Sequence, residues 1–250
     1  MQTITLNEKA QGKLNLANKV ILITGAGDGI GRALAIACAK EGATTILLGK
    51  SLKKLEAVYD EIMSQNLPEP AIHPLNLLQA QPKDAYALAE SIHNLFGKLD
   101  AVVHNAGISG QITPLEHLAP EKWQEVVQLN LNVPYLLTHA LLPLLKMSDS
   151  PSILFTTADE AKQAKAYWSA YSASKFGVRG LAQSLHEELD NTAIRVNCIN
   201  PGKVRTNLRI KVYPGIDPLT FPAPEEIVPH YVYLLSEQGK HIKGNLVNVA

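Results

Sequence analysis

Val20-Ile21-Leu22-Ile23-Thr24-Gly25-Ala26-Gly27-Asp28-Gly29-Ile30-Gly31 is the stretch on which the fold turns. Its first five residues are apolar or β-branched and do not alternate with polar ones, as expected of a strand buried on both faces. The glycines that follow permit a tight turn and let a ligand approach the backbone closely. An apolar helical run, Ala33-Leu34-Ala35-Ile36-Ala37-Cys38-Ala39, comes next. Its N-terminus would offer unpaired N–H groups and a positive dipole to a phosphate. The spacing departs from G-x-G-x-x-G because Ile30 interrupts it, and it reads G-x-x-x-G-x-G over Gly25, Gly29 and Gly31. A bare strand–helix turn could look the same. The strand before it and the helix after it favour a dinucleotide site.

The same alternation repeats along the chain. Candidate strands are Val20–Thr24, Thr45–Leu48, Ile72–Leu75, Ala101–His104, Ile153–Thr157, Ile194–Ile199 and Leu246–Val249. Helical patterns lie near 30–41, 52–65, 80–95, 120–146, 171–189 and 225–236. Strand–helix alternation with short connections predicts an α/β, Rossmann-type, doubly wound sheet of about seven parallel strands with helices on both faces. No repeat or linker interrupts it, so residues 1–250 are expected to form a single domain with a short polar extension at 1–13. Residues 203–224, with Pro214, Pro218, Pro222 and Pro224, fit no element and suit a variable binding loop.

Composition excludes several classes. The 250 residues carry 23 Lys+Arg against 23 Asp+Glu, a formal net charge of zero. That balance argues against nucleic acid or an anionic membrane as a partner. Cys38 and Cys198 sit in apolar runs, as buried free thiols in a reducing compartment would. The start of the chain lacks a basic-then-apolar leader pattern. No uninterrupted apolar run reaches the roughly 18 residues of a membrane span. A soluble cytoplasmic protein without a metal site is expected.

The end of the second strand bears on the cofactor. An acid roughly 20 positions past the glycines would bond a ribose 2′-hydroxyl, as in NAD sites. Here the sequence is Leu48-Gly49-Lys50-Ser51. Lys50 could pair with a 2′-phosphate, which favours NADP(H) over NAD(H). It could equally be a solvated lysine at the start of a basic helix, and Asp28 would repel a 2′-phosphate lying close to it.

Tyr171-Ser172-Ala173-Ser174-Lys175 supplies the chemistry. Four positions apart on a helix, a phenol and an ammonium share one face. A neighbouring ammonium favours the phenolate and lowers its pKa, making Tyr171 a candidate proton donor and acceptor. An isolated pair of this kind is usually a helix-surface feature; the glycine turn upstream raises its weight.

Taken in order, the TGAGDGIG turn, His104-Asn105-Ala106-Gly107, Asn130, Tyr171-x-x-x-Lys175 and Asn200-Pro201-Gly202 with Thr206 resemble the short-chain dehydrogenase/reductase (SDR) family over about residues 14–249. The runs LLPLL, SILFT, YSASKF and RVNCINPG resemble its bacterial YciK-type subgroup of oxidoreductases. The resemblance implies hydride transfer between NAD(P)(H) and a carbonyl or alcohol, with Tyr171 as general acid/base. Lys175 would bond the nicotinamide ribose and lower the tyrosine pKa, and Asn130 would hold the water of a proton relay. Gly25, Gly29, Ile30, Gly31, Lys50, Asn76, Leu77, Asn105, Ala106 and Gly107 would bind the cofactor with Tyr171 and Lys175. Pro201, Val204 and Thr206 would shape the nicotinamide pocket.

Three positions depart from the family pattern. Thirteen residues before Tyr171, where the family has a serine that bonds the substrate oxygen, stands Ala158. Losing one comparable oxyanion donor costs roughly 10²–10³ in rate. Thr156 and Thr157 could replace it only through a bulge or register change. Asn76 stands where the family has an aspartate beside the adenine. The chain ends at Ala250, directly after the last strand, so a tail that closes a neighbouring subunit's site would be missing. The expected function is therefore an NAD(P)(H)-dependent oxidoreductase of a small carbonyl or alcohol. The alternative is a nucleotide-binding homologue with little turnover, acting as a scaffold or redox sensor. Helices 120–146 and 171–189 carry more Leu, Ala and Val than one core stripe needs, which suggests a homodimer or homotetramer. In 203–224, Val212, Tyr213 and Phe221 mix with Arg205, Arg209 and Lys211, more readily a solvated charged loop than an anion site.

Overall fold

The apolar runs do become strands buried on both faces, and their alternate residues divide the core in two. The structure is a computed structural model describing residues 1–6 and 14–249. It contains β1 (Gln2–Leu6), β2 (Val20–Thr24), α1 (Gly29–Lys40), β3 (Thr44–Gly49), α2 (Leu52–Ser64), β4 (Ala71–Pro74) and α3 (Pro82–Phe96). Next come β5 (Ala101–His104), α4 (Pro120–Val127), a π-turn (Gln128–Asn132), α5 (Val133–Leu145), β6 (Ser152–Thr156) and α6 (Ser169–Glu188). The chain closes with β7 (Arg195–Asn200), α7 (Asn207–Val212), α8 (Pro224–Leu235) and β8 (Asn245–Val249). All strands are parallel in one sheet of order β1-β8-β7-β6-β5-β2-β3-β4.

Ile21 and Ile23 point from β2 into a cluster with α1, α8 and Leu55 of α2. Val20 and Leu22 point to the other face, among residues of α3, α5 and α6. Each buried Leu, Ile or Val contributes about 1.5–3 kcal/mol, which is why the continuous apolar pattern is required. The expected seven strands become eight. β1 carries polar side chains at Gln2, Thr3 and Thr5, and joins only because the edge of β8 offers it a parallel partner. The expected extension at 1–13 is thus a strand over 2–6, while 7–13 and Ala250 lie outside the described residues. Segment 203–224 also gains structure, in α7 and a short turn at Pro218–Thr220.

The chain order fixes where a ligand fits. From β2 the connections run one way through β3 and β4; from β5 they run the other way through β6, β7 and β8. The helices at this switch point leave a crevice beyond the C-terminal ends of β2 and β5, the usual ligand position in open α/β sheets.

Candidate active site

A cleft of about 740 Å³ opens at that switch point. Gly25 and Gly29 adopt φ +70° and +53°, so side chains there would be strained. Gly31 is required for another reason: a Cβ would stand 2.2 Å from Gly25 O and 2.7 Å from Asn105 Nδ2. It packs α1 against the turn and does not line the cleft. The first turn of α1 has no intrahelical acceptors for its N–H groups, and its end opens on the cleft at Gly29 and Ile30. Thr24 ties the two central strands together: its Oγ1 accepts from Asn105 N and Ala106 N, both at 2.9 Å.

At the adenosine end, Lys50, Ser51, Asn76 and Leu77 line the cleft. The Asn76 side chain caps its own turn, accepting from Leu78 N at 3.3 Å and donating to Gln79 Oε1 at 3.1 Å. Asp28 is not the isolated repulsive acid that the sequence suggested. It accepts from Lys54 Nζ at 2.6 Å and from Asn207 Nδ2 at 2.8 Å. Burial works to raise its pKa, but these two bonds, the Lys54 charge and the Gly29 amide outweigh it and hold the carboxyl below its ordinary range.

Tyr171 and Lys175 share a face of α6, with Nζ 5.6 Å from the phenol ring centroid. Lys175 is buried and donates to Thr156 O at 2.9 Å. Burial lowers its pKa to about 8, against the raising influence of Cys198 and Glu160. The lysine was expected to bring the tyrosine pKa down, and here the direction is reversed. Burial first, then the Glu160 and Asp159 carboxylates, push the phenol above its ordinary value, while Arg209 opposes them. Both carboxylates come from the turn that follows β6.

That turn also carries the substitution at Ala158, which lines the cleft. No bulge rescues it. The ladder continues through Thr157, whose N–H donates to Ile199 O at 2.8 Å. The Thr156 hydroxyl is 3.2 Å from the Tyr231 hydroxyl on α8, and Thr157 Oγ1 is buried without a partner among the described residues.

Asn130 stands behind the cleft, in the π-turn between α4 and α5. Its Oδ1 accepts from Ile108 N at 2.9 Å, and its Nδ2 donates to Ile108 O at 2.9 Å and Ser174 Oγ at 3.1 Å. Both N–H donors are therefore spent on protein partners, so the side chain positions the loop after β5 and does not reach the cleft. Val204 and Thr206 line the cleft beside Gly202, whereas Pro201 is buried and does not line it.

Sequence reading missed the far wall. Trp168 meets Tyr171 edge-on, with centroids 5.5 Å apart, and Tyr213 stacks on Trp168 at 6.1 Å. Arg209 lies against Tyr213. Trp168 stands three residues before Tyr171, just outside the expected helix, and Arg209 and Tyr213 were read as part of a solvated charged loop. Lys54 and Asn207 were missed as partners of Asp28 because neither adjoins it in sequence. Among the described residues no group of three His, Cys, Asp or Glu could hold a metal, and no helix is long and apolar enough to cross a membrane.

This combination of fold and cleft places the chain in the short chain dehydrogenase family, whose model matches residues 19–216. Individual relatives agree along nearly the full length. The oxidoreductase YciK of Escherichia coli K12 is 41% identical over 94% of this chain and 93% of its own. A short chain dehydrogenase of Pseudomonas syringae superposes with a TM-score of 0.94 at 43% identity, covering 96% of this chain and 98% of that one. One from Escherichia coli CFT073, complexed with NADPH, gives a TM-score of 0.92 at 40% identity, covering 95% and 98%. The chain is thus a Rossmann-type SDR oxidoreductase.

Proposed function

We propose that this oxidoreductase reduces a small-molecule carbonyl compound with NADPH, using Tyr171 as the general acid. The observation that carries the proposal is the Tyr171–Lys175 pair, its tyrosine half-buried and its lysine buried, facing the same cleft as the glycine turn. The cleft suits a dinucleotide: glycines at positive φ clear its floor, the α1 N-terminus opens on it, and Lys50, Ser51 and Lys54 stand at one end. Bound there, NADPH supplies the hydride. Gly25, Gly29 and Ile30 hold its phosphates at the helix end. Lys50 attracts a 2′-phosphate, and Lys54 meets the Asp28 charge that would otherwise repel it, which favours NADP(H) over NAD(H). The NADPH complex of the relative supports that choice.

The remaining steps belong to the chain's own residues. Tyr171 carries its proton at neutral pH, as a phenol does, and faces the cleft, so it is placed to donate to an oxygen that becomes an alkoxide. Lys175, held by Thr156 O, places a positive charge beside the phenol and is read as the ligand of the ribose. Asn130 is a positioning residue through Ile108 and Ser174. Asn76, Leu77, Asn105, Ala106, Gly107, Val204 and Thr206 are read as cofactor contacts. Gly31 and Pro201 act from behind the wall. We read the whole chain as one cytoplasmic nucleotide-binding domain that assembles as a homodimer or homotetramer.

Ala158 favours a second reading, a nucleotide-binding homologue that turns over little. An NADPH-oxidation screen with ketones, aldehydes and quinones separates the two. The proposal expects turnover, and the Ala158→Ser variant should gain up to about 10²–10³-fold in kcat. Tight NADPH binding without turnover across the screen would establish the second reading instead, and tighter binding of NADH than NADPH would overturn the cofactor choice.

A further inference from the structure

At the substrate end of the cleft stands a guanidinium with aromatic rings packed against it and no acid of its own. Arg209 Cζ lies 5.1 Å from the Tyr213 ring centroid and 5.6 Å from that of Phe221. Among the described residues it takes part in no ion pair. The carboxylates nearest the chemistry are engaged elsewhere. Glu160 accepts from Lys165 at 2.6 Å, and Asp159 accepts from Asn200 Nδ2 at 2.8 Å. Among the described residues its side-chain N–H donors bond no acceptor, and a guanidinium so placed can bond a carboxylate in bidentate fashion.

Arg209 is also joined to the reaction centre by an aromatic wall. Tyr213 stacks on Trp168 with the rings 30° apart, and Trp168 meets Tyr171 at 66°. Arg209 is close enough to Tyr171 to oppose the rise in its pKa. A solvated loop lysine or arginine would show neither the stacking nor the electrostatic reach. We propose that the substrate is a carbonyl compound bearing a carboxylate, its flat apolar body laid along Trp168 and its anionic end bonded to Arg209. This rests on the assignment of Tyr171 as the acid that protonates the carbonyl oxygen; the carboxylate itself does not react.

The test uses 4-formylbenzoate and the longer 4-(4-formylphenyl)benzoate, each against its methyl ester, with NADPH. The wild type should favour at least one acid over its ester by about ten-fold or more in kcat/KM, mainly through KM. Arg209→Gln should collapse that ratio roughly ten- to hundred-fold, and Arg209→Lys should restore part of it. Equal kcat/KM for acid and ester in the wild type, or a ratio that Arg209→Gln leaves in place, overturns the proposal. Binding separates this site from the chemistry. Titrated calorimetrically into protein saturated with NADP⁺, one of the two acids should bind the wild type and the Tyr171→Phe variant alike, and bind Arg209→Gln at least about ten-fold more weakly. Absence of binding, or binding that Arg209→Gln does not change, overturns the anion site whether or not Tyr171 proves to be the acid.

Discussion

Lys175 shows what the site costs the fold. Its ammonium is buried, and its one hydrogen bond among the described residues is to a neutral carbonyl, Thr156 O. Its pKa falls from 10.5 to about 8, so between those values the unfolded chain binds the proton and the folded chain does not. Stability therefore rises with pH through that window, and below about 8 the full cost of burying the charge is present. Lys175→Met should stabilise the protein by about 1–2 kcal/mol at pH 7 while abolishing activity, because an apolar side chain of similar length carries no desolvation penalty. The gain should shrink as the pH is raised from 8 towards 10.5. Urea denaturation at pH 7 and pH 9.5 checks this; a less stable variant at pH 7, or a gain independent of pH, contradicts it. At this scale the sequence was a good guide to proximity and a poor one to environment. The four-residue spacing put Tyr171 and Lys175 together. It could not show that burial and the carboxylates of Asp159 and Glu160 would raise the phenol, because those groups arrive from another element.

Elements turn such residues into a site. The long helical pattern over 120–146 gave no sign of the π-turn at Gln128–Asn132, since the shift of phase it causes is hidden where the helix that follows is apolar over most of its surface. That turn carries Asn130, whose carboxamide clamps Ile108. The bulge that would let Thr156 or Thr157 stand in at Ala158 does not form, and the Thr156 hydroxyl is found beside Tyr231 instead. The same helices bear on assembly. Tyr135 on α5 and Phe176 on α6 are 54% and 43% exposed, on helices that already fill the core with their other faces. Static light scattering at micromolar concentration should give a dimer or tetramer mass, with these faces buried between copies. A monomer mass contradicts the proposed assembly.

For the whole molecule, most of the architecture was legible because a doubly wound sheet writes itself as alternating periods, and the glycine turn marks its first crossover. Two parts were not. β1 is polar at three of its positions and exists through pairing with β8, a long-range contact that leaves no local pattern. Segment 203–224 is rich in proline and short of periodicity, yet α7 brings Asn207 to Asp28 and Arg209 to the aromatic wall. The cleft thus joins the glycine-turn half, largely visible in the sequence, to a half built by Trp168 and α7 that depends on tertiary placement.

The central claim is that Tyr171 delivers the proton in an NADPH-dependent reduction. The most direct test is the steady-state rate of NADPH oxidation, on a carbonyl substrate found in the screen, for the wild type and Tyr171→Phe at saturating cofactor. Loss of the hydroxyl should lower kcat by about 10²–10⁴-fold and leave the Kd for NADPH within a few-fold of wild type. An unchanged kcat in Tyr171→Phe would contradict the account.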